Sequence, residues 1–179
     1  MKYIYSFLAV FIALPFIIKG QTLHHPTGSR FSYEDTRQFM KHHNQARAEV
    51  NIPALNWNNE LAAYAQEWAD YLVNKKKCKM IHRYELKQNE AGYGENIFWG
   101  SSAKFFTPID ASIAWYNEKD KYNGEPVSWE ELSKSGHYTQ MIWRSTTDVG
   151  AGKAVCPSGA IIIVANYNPP GNIIGSDPL

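Results

Sequence analysis

Two histidines and two glutamates have side chains that suit metal binding or proton transfer: His82, Glu95, Glu118 and His137. Imidazole nitrogens and carboxylate oxygens are ligands for divalent cations, and imidazole exchanges its proton near neutral pH. Glu95 and His137 each directly follow a glycine, which lets the backbone pack closely and leaves the next polar side chain at a cavity wall. The residue types leave two interpretations open, a buried hydrogen-bonded network that braces the fold or a site that also binds a ligand.

Signatures of the common hydrolases are absent from the sequence. It contains no HExxH motif, which would indicate a zinc-dependent protease, and no GxSxG motif, which would indicate a serine hydrolase. Ser135 lies two residues before His137, but neighbours in sequence do not make a nucleophile and its base. The run His42, His43 and Asn44 does not support an HNH nuclease, because no metal cluster or basic face accompanies it.

The charge balance argues against a nucleic-acid partner. The chain of 179 residues has a formal net charge of +1, and its basic run is Lys75–Lys77. That run falls at the end of a predicted helix, where cations complement the negative end of the helix dipole, and this interpretation is favoured over a lipid- or nucleic-acid-binding patch. We therefore expect no nucleic-acid surface.

Residues 1–20 have the composition of a secretory signal peptide. Lys2 supplies the positive start, and the apolar run 4–18 is shorter than the ~20 residues of a membrane span. A cleaved signal implies a secreted, extracellular protein, or a periplasmic one in a bacterium, with no stable membrane anchor. Residues 21–31 are polar and predict a flexible lead-in, and residues 32–179 predict a single domain.

Helical patterns occupy the next part of the chain. Ser32 is a predicted N-cap for a first helix that ends before Pro53. A second helix is predicted from Asn58 or Asn59 to about Lys77, because apolar side chains recur there at helical spacing.

Two shorter helices are predicted further on. Thr107 and Pro108 suit the N-cap and first turn of a third helix. The side chains of this helix that are predicted to face the core are Ile109, Ile113, Trp115 and Tyr116. A short fourth helix is predicted over 138–143. The segment 122–134 lacks a clean helical stripe, and an exposed aromatic there, such as Trp129, could contact lipid or a partner.

In the last part of the chain the residue pattern is typical of β-strands. Val149–Val155 and Ile161–Tyr167 are predicted strands, and Pro157–Gly159 supplies the turn that joins them into a hairpin. Glu95–Phe98 predicts a central strand. Together these elements predict an α+β fold in which helices pack on both faces of a small antiparallel sheet.

Four segments follow one another in a specific order: CKMIH at 78–82, GYGENI at 92–97, GHYTQMIW at 136–143 and NYNPPGN at 166–172. In this order and spacing they resemble the CAP superfamily of cysteine-rich secretory proteins, antigen 5 and plant pathogenesis-related 1 proteins, whose domain is also called the SCP domain. The resemblance covers nearly the whole chain after the first thirty or so residues. It implies a three-layer α-β-α sandwich with a small central antiparallel sheet.

The resemblance also assigns roles to particular residues. His82, Glu95, Glu118 and His137 match the family's cleft tetrad. No cofactor is required, but His82 and His137 would suit Zn²⁺ with open positions for water or substrate. The residues matched to the family's structural motifs are His43, Asn44, Tyr138, Gln140, Trp143, Asn166, Tyr167, Pro170, Gly171 and Asn172.

The resemblance favours a non-enzymatic binding module. Its ligand would be a sterol, a fatty acid or an extracellular surface component, held in grooves between the helices and the sheet. The tetrad cleft would be a second site that binds a divalent metal. One alternative is a metal-dependent hydrolase in which Glu95 or Glu118 acts as general base on water. Another is a protein-interaction effector.

The two cysteines depart from the pattern of plant relatives, which carry three disulfides. The resemblance matches Cys78 and Cys156 to halves of two different bridges, whose partners would fall at Ser135 and Ala165, and Ala151 replaces a further half-cystine. None of the three family bridges can form. We therefore expect two free, largely buried thiols, with a new Cys78–Cys156 bridge as the alternative.

Overall fold

The computed structural model describes residues 27–179. The predicted signal peptide at 1–20 and the first part of the predicted lead-in lie outside these residues. Within the described part of the chain, none of the helices combines the length and the apolar character that crossing a bilayer requires.

Within residues 27–179, four α-helices alternate with loops and short 3₁₀ turns. Their bounds are α1 Tyr33–Glu49, α2 Asn59–Lys76, α3 Pro108–Tyr116 and α4 Trp129–Met141, and the 3₁₀ turns are Arg83–Leu86 and Asn117–Lys121. The starts of the first three helices agree with their predicted caps. Ser32 Oγ accepts from the Asp35 backbone N–H at 3.0 Å, and the Asp35 side chain accepts in return from the Ser32 N–H.

Four strands of the described part of the chain form one sheet in the order β1-β3-β4-β2. Their bounds are β1 Asn56–Trp57, β2 Gly94–Gly100, β3 Asp148–Val155 and β4 Ile161–Asn168. The hairpin of β3 and β4 is the predicted one, and β2 pairs antiparallel with β4. The prediction that β2 is central is wrong, because β2 lies at the edge and β4 has a strand on each side. The two-residue strand β1 pairs with β3 in parallel.

Helices cover both faces of this sheet. Helix α2 packs Trp68 and Leu72 against Ile162 and Val164 of β4. The opposite face of the sheet lies against α1, α3 and α4, in a core centred on Phe39. Successive side chains of a strand point to opposite faces, so the apolar run of β4 contributes to both cores. The result is the expected three-layer α-β-α sandwich.

Two glycines let α2 lie directly on the sheet. A Cβ atom at Gly150 would lie 2.1 Å from the Ala62 backbone nitrogen, and one at Gly152 would lie 2.4 Å from the Gln66 Cα. Any side chain at these positions of β3 would push the helix away. The glycine-rich character of β3 therefore comes from close packing of backbone on backbone.

Helix α3 does not bury all the side chains predicted to face the core. Trp115 and Ala111 are buried, but Ile113 is 39% exposed, and Ile109 and Tyr116 are only partly buried. Ile113 is two residues from both Ala111 and Trp115, which places it about 200° around the helix from each. The prediction for Ile113 is wrong because the Trp115 side of the helix faces the core.

Helix α4 begins nine residues before the predicted start. Ser128 caps it by accepting from the Glu131 backbone N–H at 3.1 Å. The inward face of its first half carries Glu131 and Ser135, which are buried and joined by a hydrogen bond from the Ser135 hydroxyl. This buried polar pair explains why segment 122–134 shows no apolar stripe.

The two cysteines form a disulfide, and the prediction of two free thiols is wrong. Lys77 and Cys78 both adopt left-handed backbone conformations after α2, with φ of 52° and 61°. These two residues turn the chain back toward the end of β3. The Cα atoms of Cys78 and Cys156 consequently lie 6.2 Å apart, within the range that a disulfide spans.

Residues 27–31 of the predicted lead-in are packed against the domain. Phe31 is 3% exposed and stacks on Trp57 with ring centroids 5.8 Å apart. The Trp57 indole N–H donates to the Thr27 carbonyl at 3.0 Å. The packed part of the chain therefore begins before the capped start of α1.

Candidate functional site

An open cleft of about 380 Å³ lies where the start of β2 meets the second half of α4. Three of the four predicted tetrad side chains line it: His82, Glu95 and His137. The fourth, Glu118, is hydrogen bonded to His137. The structure thus brings the four residues together around one solvent-accessible cleft.

The first pair joins His82 to Glu95. The Nδ1–H of His82 donates to Glu95 Oε1 at 2.8 Å, and the Arg83 backbone N–H donates to the same oxygen at 3.0 Å. The His82 side chain is 30% exposed, whereas that of Glu95 is 3% exposed. The buried carboxylate therefore fixes the ring, and the ring itself faces the cleft.

The second pair repeats this arrangement with His137 and Glu118. The Nδ1–H of His137 donates to Glu118 Oε1 at 2.7 Å, and the His137 backbone N–H donates to Oε2 at 2.9 Å. The His137 ring also stacks on the buried Trp115 ring, with centroids 6.0 Å apart and planes at 17°. One carboxylate and one indole consequently hold this imidazole.

The local backbone structure places each of the four side chains at the cleft. His82 precedes the 3₁₀ turn Arg83–Leu86, where its backbone N–H donates to Glu85 Oε1 at 2.8 Å. Glu95 is the second residue of β2. Glu118 lies in the 3₁₀ turn after α3, and His137 follows a break in α4 at Ser135, whose φ is −139°.

The two pairs leave the same nitrogen of each ring available. Because Nδ1 donates to a carboxylate, the neutral ring presents its Nε2 lone pair to other partners. Within residues 27–179, neither Nε2 atom has a hydrogen-bond partner. Those residues also contain no group of three or more His, Cys, Asp and Glu side chains arranged to hold a metal ion. Within the described residues, the two imidazoles are therefore the candidate ligands for a metal in this cleft.

Glu95 keeps one acceptor without a partner. Its Oε2 is buried and accepts no hydrogen bond within the described residues. The cross-strand neighbour Asn166 donates to the Gly94 carbonyl at 3.1 Å, and its own Oδ1 also has no partner there. Buried polar atoms are normally satisfied. Glu95 in the wall of the cleft and its cross-strand neighbour Asn166 therefore each keep an unused acceptor.

A buried hydrogen-bond chain supports the floor of the cleft. Asn96 Nδ2 donates to the His137 carbonyl at 3.1 Å and to the Tyr167 hydroxyl at 3.2 Å. The Tyr167 hydroxyl donates in turn to His43 Nε2 at 3.0 Å. Burial lowers the pKa of His43 to about 3 and raises that of Tyr167, so both groups are neutral.

The motif residues after β4 close the cleft from the other side. The Gly171 backbone N–H donates to Gln140 Oε1 at 3.0 Å, and Asn172 Nδ2 donates to the Gly136 carbonyl at 2.8 Å. The Thr139 hydroxyl donates to Asn172 Oδ1 at 2.6 Å. Pro170 and these side chains join the 166–172 segment to α4, and Pro170 itself lines the cleft.

The remaining motif residues lie away from the cleft. Asn44 pairs with the Leu55 backbone, accepting from its N–H at 2.8 Å and donating to its carbonyl at 3.2 Å. Tyr138 and Trp143 are buried core residues. A further residue of α1, Arg47, is also fully buried, and its guanidinium donates to four backbone carbonyls, those of Pro53, Met141, Trp143 and Thr146.

Four further side chains line the cleft and were not predicted to do so: Tyr84, Tyr93, Trp129 and Leu132. Tyr84 is 61% exposed and stacks on the His82 ring with centroids 5.2 Å apart. The sequence singled out Trp129 as an exposed aromatic, and it is 77% exposed. Nothing in the sequence indicated that Trp129 and the two tyrosines share one cleft, because they come from three separate segments.

Comparison with known proteins agrees with this architecture. Residues 40–167 match the model of the cysteine-rich secretory protein family, CAP. The chain is 35% identical over 173 residues to pathogenesis-related protein 1C of Nicotiana tabacum, covering 97% of this chain and 94% of the relative. It is 36% identical over 176 residues to pathogenesis-related protein PR-1 of Medicago truncatula, covering 97% and 96%.

Solved structures share the fold. The crystal structure of NaASP2 with Zn²⁺ has a TM-score of 0.67 and 25% sequence identity, covering 82% of this chain and 85% of that one. The crystal structure of Na-ASP-1 has a TM-score of 0.71 at 22% identity, covering 86% of this chain and 43% of that one. Sequence motifs, sandwich architecture and family match together show that the chain belongs to the CAP, or cysteine-rich secretory protein, family.

Proposed function

We propose that this CAP protein is secreted and acts as a non-enzymatic binding module for a small extracellular ligand, with a divalent-cation site at His82 and His137. The observation that carries the proposal is the pair of carboxylate–histidine contacts in one open cleft. Each carboxylate orients an imidazole so that Nε2 is free to bind something that enters the cleft.

The extracellular location has three independent supports. The predicted signal peptide at 1–20 directs export, and the matched family is named for secretory proteins. The third support is the Cys78–Cys156 disulfide, because such bonds persist mainly in oxidising compartments.

The ligand would be a sterol, a fatty acid or a component of an extracellular surface. Aromatic side chains at the rim, including Tyr84 and Trp129, provide apolar contact area, and Asn96 and Gln140 add polar groups to the same cleft. A mainly apolar concavity with a few polar groups is the usual form of a small-molecule site. Analysis of an organic extract of the protein, purified from its native secretion, by mass spectrometry would identify the bound species.

The hydrogen bonds that Glu95 and Glu118 already accept favour a binding role over hydrolysis. A general base must reach the proton that it removes from water. Glu118 uses both oxygens on His137 and its backbone N–H, and Glu95 uses Oε1 on His82 and the Arg83 backbone. Glu95 Oε2 is free but buried. Both glutamates are therefore better placed to orient histidines than to activate water.

The residues present fit a divalent cation of the zinc type. Two neutral imidazoles are suitable ligands, and the remaining coordination positions would be filled by water or by a ligand. Such an ion would supply positive charge that holds an anionic or carbonyl oxygen of the ligand. A related structure, NaASP2, was solved with Zn²⁺.

Zinc titration tests the proposal. Isothermal titration with Zn²⁺ should show binding to the wild type and its loss in His82→Ala/His137→Ala. The control is His42→Ala, a histidine outside the cleft, which should bind zinc like the wild type. Peptide and ester substrates should be turned over no faster by the wild type than by the double variant. Equal zinc affinity in wild type and double variant would remove the metal site, and turnover that depends on the two histidines would favour the hydrolase.

A further inference from the structure

Three segments meet at the end of the sandwich opposite the cleft. The strands β2 and β3 end there, and β4 begins there, because Gly100 and Val155 both pair with Ile161. The cleft lies at the other end of β2, about 20 Å away for a strand of this length. Any property of this end is therefore separate from the cleft.

Two contacts tie the neighbouring loops to this end. The Cys78–Cys156 disulfide joins the end of α2 to the end of β3. The Ala103 backbone N–H donates at 2.8 Å to the carbonyl of Gly159, in the turn between β3 and β4. The segments that follow α2 and β2 are consequently held beside the same turn.

The end of α2 and the segments that follow α2 and β2 carry a concentrated positive charge. Five lysines lie in them without an ion pair among the described residues: Lys75, Lys76, Lys77, Lys79 and Lys104. No Asp or Glu occurs in 71–81, 99–107 or 153–162. A sixth lysine, Lys153 near the end of β3, is paired with Asp35. The whole chain has a formal charge of +1, so the residues other than these five unpaired lysines have a summed formal charge of −4.

Large apolar side chains are exposed in the same segments and at the adjoining ends of β2 and β3. Phe105 is 80% exposed, Met80 57%, Val155 54% and Trp99 45%. Exposed apolar residues scattered singly need no explanation, but a group of them inside a basic surface indicates an interaction site. We call these four side chains and the five lysines the basic end.

We propose that the basic end docks on the surface of an anionic phospholipid bilayer. Lysines near such a surface are attracted by its negative potential, and aromatic or aliphatic side chains among them can enter the headgroup region. A soluble polyanion would engage the lysines but would leave Phe105, Met80 and Trp99 in water. The combination of charge with exposed apolar side chains is therefore complementary to a bilayer surface.

Sedimentation with lipid vesicles tests this proposal on the full secreted chain. The protein should bind vesicles of phosphatidylcholine mixed with phosphatidylserine and should not bind vesicles of phosphatidylcholine alone. Lys77→Gln/Lys79→Gln should weaken binding roughly 25-fold, at about fivefold for each charge. Phe105→Ser should weaken it about tenfold, since a largely exposed phenyl ring loses its place in the headgroup region.

Matched controls separate the basic end from charge and apolarity in general. Lys41→Gln/Lys121→Gln removes two exposed lysines elsewhere, and Ile173→Ser removes an exposed apolar side chain elsewhere. Both should bind the mixed vesicles like the wild type. Three results would overturn the proposal. The first is no binding to the mixed vesicles, and the second is equal weakening of binding by the control variants. The third is that Phe105→Ser binds like the wild type and that soluble heparin abolishes the binding of both.

Discussion

The Tyr167 hydroxyl lies 3.0 Å from His43 Nε2, deep between helix α1 and the central strand of the sheet. The same hydroxyl accepts from Asn96, which in turn holds the His137 carbonyl at the cleft. On the other side of the imidazole, His43 Nδ1 contacts the Phe39 carbonyl and the Ser112 hydroxyl oxygen. The core thus connects α1, α3, the sheet and the candidate site through one buried polar chain.

Replacing Tyr167 by Phe should lower the free energy of unfolding by about 2 kcal/mol. The substitution keeps the ring but leaves the buried His43 Nε2 without a donor, and an unsatisfied buried group costs about 1–3 kcal/mol. Urea denaturation followed by circular dichroism measures the change. Tyr84→Phe is the control, because the Tyr84 ring is largely exposed, and it should change stability by less than about 0.5 kcal/mol. Equal effects of both variants would contradict the role given to this chain.

The buried imidazole predicts a loss of stability in mild acid. Burial lowers the pKa of folded His43 to about 3, whereas an unfolded histidine titrates near 6.5. Below about pH 6.5 the unfolded state binds a proton that the folded state does not, so this contribution to stability falls from pH 6.5 toward pH 3. The slope approaches about 1.4 kcal/mol per pH unit for one proton.

Comparison with His43→Gln isolates this contribution, since glutamine can hydrogen bond but does not titrate. Urea unfolding between pH 7 and pH 4.5 should show a shallower pH dependence in the variant than in the wild type. Parallel curves would show that His43 does not carry the acid sensitivity.

Much of the sandwich was predictable because the apolar residues of several helices and strands follow a clear helical or strand pattern. The apolar stripe of α2 and the β-branched run of β4 both pack as the sequence predicted. The first half of α4 was missed because its inward face carries Glu131 and Ser135, which satisfy each other in the core. A polar pair of this kind looks like a solvent-exposed segment when only the sequence is available.

The candidate site was predictable only in part for a similar reason. The four tetrad residues were found through motifs matched to a family, and the structure places them around one cleft. Tyr84 and Tyr93 were missed, because a 3₁₀ turn and an irregular loop have no hydrophobic period that would show where their side chains lie. The rim of the cleft depends on how separate loops fold over the sheet.

Removing the disulfide should destabilise the protein strongly. The bond closes a loop with a sequence separation of 78 residues. A loop of that length corresponds to about 4 kcal/mol of stabilisation in the chain-entropy model. Cys78→Ser/Cys156→Ser should therefore unfold at a clearly lower urea concentration than the wild type.

Thiol titration checks the bond itself. Protein that has never been exposed to reductant should give no reactive thiols before or after denaturation. Two thiols after denaturation would show that Cys78 and Cys156 are free, as the sequence first suggested. The urea unfolding of Cys78→Ser/Cys156→Ser has its own control, Ala151→Ser. Ala151 is buried on β3 away from the bond, so this variant measures the effect of a new hydroxyl in the core.

Glu118→Gln should weaken zinc binding about tenfold, although Glu118 is not one of the two residues proposed to bind the ion. Its carboxylate accepts from His137 Nδ1 at 2.7 Å, which keeps the proton on Nδ1 and the lone pair on Nε2. The amide of glutamine can present N–H instead, which favours the tautomer whose Nε2 carries the proton and cannot bind metal. Isothermal titration measures the affinity, and thermal unfolding shows whether the variant is folded. Glu130→Gln should leave zinc affinity unchanged, because Glu130 is an exposed carboxylate of α4, the helix of His137, and is paired with Lys134. A folded Glu118→Gln protein with wild-type affinity would mean that the carboxylate only braces α4.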